Sequence, residues 1–379
     1  VTLNVRKVIF ACATLLLSSS IFASKFPLTV LDAADRSVTL KHEPTKIVIQ
    51  DGRDILAFAL LDRDNPFKRI VLWNNILKKN DPSSWATIVK KWPVGNDIPD
   101  MNFNDDGQVN LEELIAKMPD LLIAQLRSKT VLQQSGVFDK LSRLNIPIVF
   151  VDTEVEPVKN SIKSIALLGK ILNREEESAQ YINFYNTHLE SLEKTIRKQK
   201  NHPSVFVEAL AGKAGLDSCC FTHGNKGWGK LVEAAGGVNV GSKLLPGATG
   251  TVSVEKLLAI QPDIYVMTSS QWTSKGSASI PYGYGANEKK IDTAFSNLLN
   301  RTGFSSLNAF KKDKIYGIYH QFYNHPYNIV ALEYLAKDFY PESFTTLNPE
   351  KTYSEIIARF TQIPDLPIIT GSKMPAGKH

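Results

Sequence analysis

Cysteine is nearly missing from this sequence: three residues in 379, with Cys12 near the start and the adjacent pair Cys219-Cys220 far downstream. The widely spaced pairs that staple small extracellular folds are absent, so a hydrophobic core must hold the chain together. No long apolar run follows the N-terminal one, Val8–Leu17, and that run is too short to cross a hydrocarbon layer of about 30 Å. Charge of a single sign is lacking too. The 44 Lys and Arg stand against 38 Asp and Glu, and the acidic residues are spread throughout, which is no nucleic-acid footprint. Gly-x-Ser-x-Gly, phosphate-loop and His-Glu-x-x-His motifs are all missing, so nothing pairs a nucleophile with its base and an enzyme is not expected. What remains is an ordinary globular balance, 43% hydrophobic and 22% charged, with room for two or three domains.

The first residues place Arg6 and Lys7 ahead of the apolar run and end it with small residues at Phe22-Ala23-Ser24. This order is that of a secretory signal peptide cleaved after Ala23, which predicts export of a soluble mature protein. Cys12 lies inside the apolar run instead of at its end, which argues against a lipid anchor there.

From Ser24 onward, short β-branched runs alternate with helical stretches: KIVIQ at 46–50, RDILAFALL at 53–61, RIVLW at 69–73, DLLIAQ at 120–125 and PIVFVD at 147–152. The same habit returns after residue 203, with LVEAAGG at 231–237 as one of the helical pieces. The fold class expected is α/β, as two α/β lobes with a ligand cleft between them. Between the lobes, Ile182, Tyr185, Leu189, Leu192 and Ile196 recur at helical spacing, after Glu175, Glu176 and Glu177 and before Lys194, Arg197 and Lys198. That charge order suits the helix macrodipole, Asn173 is the expected N-cap, and Glu175 to Lys198 would span roughly 36 Å as a strut. The boundaries read from this are a signal at 1–23, a first lobe at 24–155, a linking helical segment at 156–202 and a second lobe at 203–379.

One unit is written twice. VNLEELIAKMPDLLI at 109–123 returns 143 residues later as VSVEKLLAIQPDIYV at 252–266, with Val, Glu, Leu, Ala, Pro and Asp identical. Each copy reads as a Glu near a helix start, an apolar face, a Pro-Asp turn and a buried strand, once per lobe. These units, with LVEAAGGVNVG at 231–241 and GFSSLNAFKKDKIYGIYHQFYN at 303–324, resemble the periplasmic substrate-binding proteins of ABC importers, in the class with a single linking helix. The resemblance covers nearly all of the mature chain. It implies a monomeric periplasmic receptor that captures a ferric siderophore-type Fe(III) chelate and hands it to an inner-membrane permease. Haem, cobalamin, a metal–histidine complex or an oxyanion such as molybdate are the alternative ligands it implies. By position in the repeat, Glu112 and Glu255 would dock on permease arginines, with Glu113 a near rival. The plain alternative is a pair of solvated first-turn glutamates.

Ligand residues are expected where strands end at the cleft. Arg53 follows KIVIQ and Arg127 follows DLLIAQ, and arginine suits anionic or oxygen-rich ligands because its fork donates several hydrogen bonds and keeps its charge. From the second lobe, Trp228, Trp272, His320, Phe322 and Tyr323 would wall a chelate-sized ligand. Tyr282 and Tyr284, on a Gly-rich loop, would form a lid. His223, His320 and His325 are possible metal ligands, though their spacing matches no closed zinc pattern. Cys219 and Cys220 are expected as a vicinal disulfide near the cleft, structural or ligand-facing. Asn102, Asn104, Asp106, Gln108 and Glu113 fall at calcium-loop spacing, against the ordinary reading of a polar turn before a helix.

Overall fold

The computed structural model describes residues 25–101 and 109–374. A hairpin of β1 (Leu28–Leu31) and β2 (Ser37–Leu40) precedes β3 (Ile47–Ile49), β4 (Ile70–Trp73), β5 (Leu121–Gln125) and β6 (Ile148–Val151). The last four form a parallel sheet in the order β4-β3-β5-β6. Every residue of β5 and β6 is buried, as befits strands covered by helices on both faces.

The second half contributes β7 (Ser204–Glu208), β8 (Phe221–His223), β9 (Val238–Asn239), β10 (Thr249–Thr251), β11 (Ile264–Ser269), β12 (Gly283–Tyr284), β13 (Ile315–Tyr319), β14 (Ile368–Ile369) and β15 (Gly371–Lys373). Its main sheet runs β15-β13-β11-β7-β9, parallel except for the β15 edge. A short antiparallel ribbon, β8 with β10, stands beside it.

The two copies of the repeat fold alike, down to single residues. Asn110 caps the helix Leu111–Ala116 and Ser253 caps Val254–Ile260, each side chain accepting a backbone N–H of the first turn. The tenth position of each copy, Met118 and Gln261, is left-handed, with φ of 47° and 50°, and turns the chain into Pro-Asp. The Asp then bonds the backbone at or just ahead of the start of the neighbouring strand. Asp120 accepts from the Thr45 and Lys46 amides at 2.8 and 3.0 Å, and Asp263 accepts from the Ser204 amide at 2.9 Å. The conserved spelling within the chain thus records a strand register built twice.

Between the sheets lie two helices, Pro157–Ile171 and Glu175–Ile196, the second of them matching the strut expected over Glu175–Lys198. Asn173 explains the break. It is not the N-cap: with a φ of 55° it is the left-handed residue that ends the first helix, a conformation Asn tolerates well, and the N-cap of the second helix is Arg174, whose side chain caps nothing. The second helix, about 33 Å long at 1.5 Å per residue, is the tie between lobes. Its first turns hold the first lobe, through Arg174 to Asp62 at 2.9 Å and Arg63 to Gln180 at 3.0 Å. Farther along, the Tyr181 hydroxyl donates to the Pro326 carbonyl at 2.6 Å and the Tyr185 hydroxyl to Asn328 at 2.7 Å, in the second lobe. Among the described residues no helix is long and apolar enough to cross a membrane.

Candidate ligand cleft

Both parallel sheets present the carboxyl ends of their strands to the same crevice. The crevice has a volume of about 290 Å³. Open α/β sheets bind ligands at such ends. From the first lobe, the turn after β3 supplies Arg53, the turn after β5 supplies Arg127, and the segment after β6 supplies Glu154. From the second lobe, Leu210 and Lys213 follow β7, Trp272 follows β11, and His320, Gln321 and Tyr323 follow β13. Phe221 and His223 enter on β8 and Lys226 from the turn beyond it.

The strand ends are fastened to one another before they meet any ligand. Gln50 accepts from the Gln125 amide at 3.1 Å and from the Ser128 hydroxyl at 3.0 Å. Gly52 sits so close to the Asn74 carbonyl that an added Cβ would lie 2.5 Å from its oxygen, so only glycine lets the Arg53 turn seat here. Arg53 Nε and its own amide then donate to Asp51 at 2.9 and 3.0 Å, while Arg127 reaches the other Asp51 oxygen. Burial alone would raise the Asp51 carboxyl, but the two guanidiniums outweigh it and hold it well below the usual carboxylate range. Buried Asp54 goes the other way. Desolvation first, and the Asp51 charge second, push it up to about 8, so it is protonated at neutral pH.

Four cationic side chains, Arg53, Arg127, Lys213 and Lys226, therefore meet two ionised carboxylates, Asp51 and Glu154, and the crevice keeps a cationic excess. Burial lowers the Lys213 ammonium, and the Arg53 charge lowers it further. Glu154 is drawn below its ordinary value despite burial, by Arg127 and Lys226.

The opposite wall is aromatic. The Tyr323 ring lies 5.0 Å from His223 and 4.9 Å from His320, and Trp272 stands 5.2 Å from His320. His223 is pushed down to about 4, chiefly by burial, and His320 lies well below the ordinary imidazole range for the same reason. Both rings are thus neutral at pH 7. His223 Nδ1 accepts the Trp228 backbone N–H at 3.2 Å, which leaves the ring proton on Nε2. His223 consequently offers the crevice a hydrogen-bond donor, not a lone pair for a metal. His320 Nδ1 pairs with the Thr268 hydroxyl at 2.8 Å.

The expected residues divide into three groups. Arg53, Arg127, Trp272, His320 and Tyr323 come together at the crevice. Trp228 and Phe322 are fully buried behind it, Trp228 against His320 and Tyr323 and Phe322 against Tyr319, so they support the wall instead of forming it. Cys219 and Cys220 are bonded to each other, but outside the crevice: Cys219 lines a separate groove beside Arg301. They precede β8, and neither is among the residues that line the crevice. His325 is packed on Phe322 and Tyr327 and does not line the crevice. Tyr282 and Tyr284 form no lid, because both are buried, Tyr282 bonded to Ser372 and Tyr284 to Tyr353. Asn102, Asn104, Asp106 and Gln108 lie outside the described residues. Glu113 is half-buried, its amide capped by Asn110. Glu112 and Glu255 are both exposed, each in the first turn of its repeat helix.

Sequence reading passed over Asp51, Lys213, Gln321, Lys226 and the site role of Glu154. Glu154 was within reach, since it follows the strand PIVFVD just as Arg127 follows DLLIAQ. A larger groove of about 550 Å³ lies between β2 and the loop at 144–147. Two of its charged groups are engaged within the fold, Arg36 with Asp32 and Asp120 with the Thr45 and Lys46 amides.

Residues 72–321 match the model of the periplasmic binding protein family. The chain belongs to this family. A substrate-binding lipoprotein of an ABC transporter, YvrC of Bacillus subtilis, itself uncharacterized, is 24% identical over 328 residues, covering 84% of this chain and 87% of the relative. The molybdate-binding protein MolA of Haemophilus influenzae is 22% identical over 384 aligned positions, covering 94% of this chain and 97% of MolA. The TroA-like periplasmic binding protein FepB of Veillonella parvula superposes with a TM-score of 0.84 at 25% identity, covering 92% of this chain and all of that one. Such proteins bind substrates for transporters and are not enzymes. This periplasmic binding protein accordingly takes a small-molecule ligand and has an ABC transporter permease as its partner.

Proposed function

We propose that this periplasmic binding protein captures a compact, anionic, oxygen-rich metal complex, a ferric siderophore-type chelate, and delivers it to its permease through Glu112 and Glu255. One observation carries the reading: the crevice is a cluster of donors with a cationic excess, and its carboxylates are already held by its own arginines and lysine. Catecholate, hydroxamate and carboxylate oxygens around Fe(III) are acceptors that such a surface satisfies. Arg53, Arg127, Lys213 and the His223 Nε2–H would supply the donors, and Tyr323 and Trp272 the flat walls.

A second reading, a tetrahedral oxyanion such as molybdate, draws support from the modest crevice volume of about 290 Å³ and from the likeness to MolA. Both ligands need the same cations, and they differ in how much of the aromatic wall they touch. Tryptophan fluorescence titration against ferric catecholate, hydroxamate and carboxylate chelates, haemin, cobalamin, nickel–histidine and molybdate separates them. Saturable quenching by a ferric chelate that Trp272→Ala weakens supports the first reading. A response to molybdate alone, indifferent to Trp272→Ala, supports the second, and a response to haemin or cobalamin alone contradicts both.

A further inference from the structure

The vicinal cysteines take no part in the crevice, yet their surroundings are not those of an inert staple. Cys219 is half-buried and opens on a groove of about 390 Å³ lined also by Asn297, Asn300, Arg301 and Phe304. Cys220 is fully buried, and its Sγ lies 3.4 Å from the Tyr265 hydroxyl, which also has a Glu208 oxygen at 2.8 Å and can turn its one proton to either. Behind it, Glu208 brings a carboxylate oxygen within 4.8 Å of both sulfurs. That carboxylate is held by Arg301 through two bonds of 2.6 Å, which offsets the repulsion it would exert on a charged sulfur. One sulfur is thus open to an incoming group and the other is the better supported as a leaving thiolate.

We propose that Cys219-Cys220 is a thiol-exchange site outside the ligand crevice, entered by a low-molecular-weight thiol at Cys219, with Cys220 as the leaving thiolate. The thiolate sulfur bonds to Cys219 Sγ as the bond to Cys220 Sγ breaks, and the electron pair departs on Cys220, where the Tyr265 O–H turns to it. A second thiolate then attacks the mixed disulfide at the external sulfur, releasing the oxidised thiol dimer and leaving both cysteines reduced. Two electrons from two external thiols balance the step. The site abuts β8, whose Phe221 and His223 line the crevice, so exchange occurs at the root of a ligand-bearing strand.

The test treats the folded, oxidised protein with millimolar reduced glutathione, quenches with acid and locates the adduct by peptide mass spectrometry. The mixed disulfide is expected on Cys219. In Cys220→Ser the remaining thiol should react with iodoacetamide at least tenfold faster under native conditions than the remaining thiol of Cys219→Ser. An adduct on Cys220, a pair inert until denaturant is added, or two free thiols in the isolated oxidised protein each overturn the proposal. If a variant does not fold, as judged by near-UV circular dichroism, the adduct map of the unsubstituted protein decides alone.

Discussion

Lys226, from the second lobe, donates to the Glu154 carboxylate of the first at 2.6 Å, tying the lobes together at the edge of the crevice. The Gly227 amide adds a second bond, to the Glu154 carbonyl, at 2.8 Å. Both partners are largely shielded, so this pair is screened less by salt than an exposed one. Lys226→Met should therefore speed ligand release about three- to tenfold in stopped-flow fluorescence, with the fold unchanged. An unaltered release rate would mean that the tie does not restrain opening.

Acid should loosen the protein through its buried imidazoles. His223 has its folded value lowered to about 4 from an ordinary 6.5, so between those values the unfolded chain binds the proton more readily. Stability then rises with pH across that window and is lost as pH falls through it, by an amount of order 3 kcal/mol for the full shift. His223→Gln, measured by thermal melts from pH 7 to 4, should show a shallower acid decline.

Asp54 carries the opposite sign. Its folded value is raised to about 8 from 3.8, so the native state keeps a proton that the unfolded state has released. Stability therefore falls as pH rises from about 4 to 8 on account of this group. Asp54→Asn keeps an acceptor for the Gln125 amide, which donates to Asp54 at 2.6 Å. The variant should match the unsubstituted protein near pH 4 and melt higher than it at pH 8.

The base of the linking helix rests on one carboxylate. Asp62 is fully buried and ion-paired with Arg69 at 2.7 Å, Lys68 at 3.0 Å and Arg174 at 2.9 Å. Asp62→Ala leaves Arg69 with Glu43, at 2.7 Å, as its carboxylate partner and removes the partner that Arg69, Lys68 and Arg174 share, and should cost about 1–3 kcal/mol in urea unfolding. A loss below about 1 kcal/mol would show that the cations re-pair elsewhere.

Docking is separable from binding. Glu112 and Glu255 are exposed and touch no crevice residue, so the double charge reversal Glu112→Arg with Glu255→Arg should abolish uptake in cells while leaving ligand affinity within twofold. Retained uptake would remove both from the docking role.

Much of this architecture was written in the sequence, because strand ends and helix starts are local features. The repeat announced its helix, its Pro-Asp turn and its buried strand in both halves, and the strand-end rule alone brought Arg53 and Arg127 to one crevice. What depends on the direction of a side chain stayed hidden. Trp228 and Tyr323 are five residues and ninety-five residues from His223 and Trp228 respectively, yet which ring faces the ligand and which backs it is decided by packing between elements. Cys219-Cys220 adjoins a crevice strand in sequence but opens on another groove, because β8 is too short for proximity along the chain to fix its facing. Asn173 was read as the cap of the strut instead of the left-handed residue that ends the helix before it, because Asn serves equally in both roles.

The central claim is that the crevice selects anionic, oxygen-rich ligands through its cationic excess. Calorimetric titration of the protein and of Arg127→Ala with ferric chelates of either net charge, and with molybdate, tests it most directly. The account predicts saturable binding of an anionic complex, at least tenfold weaker in Arg127→Ala, and no binding of cationic ones. Preference for a cationic complex, or affinity for an anionic one that Arg127→Ala leaves intact, would contradict it.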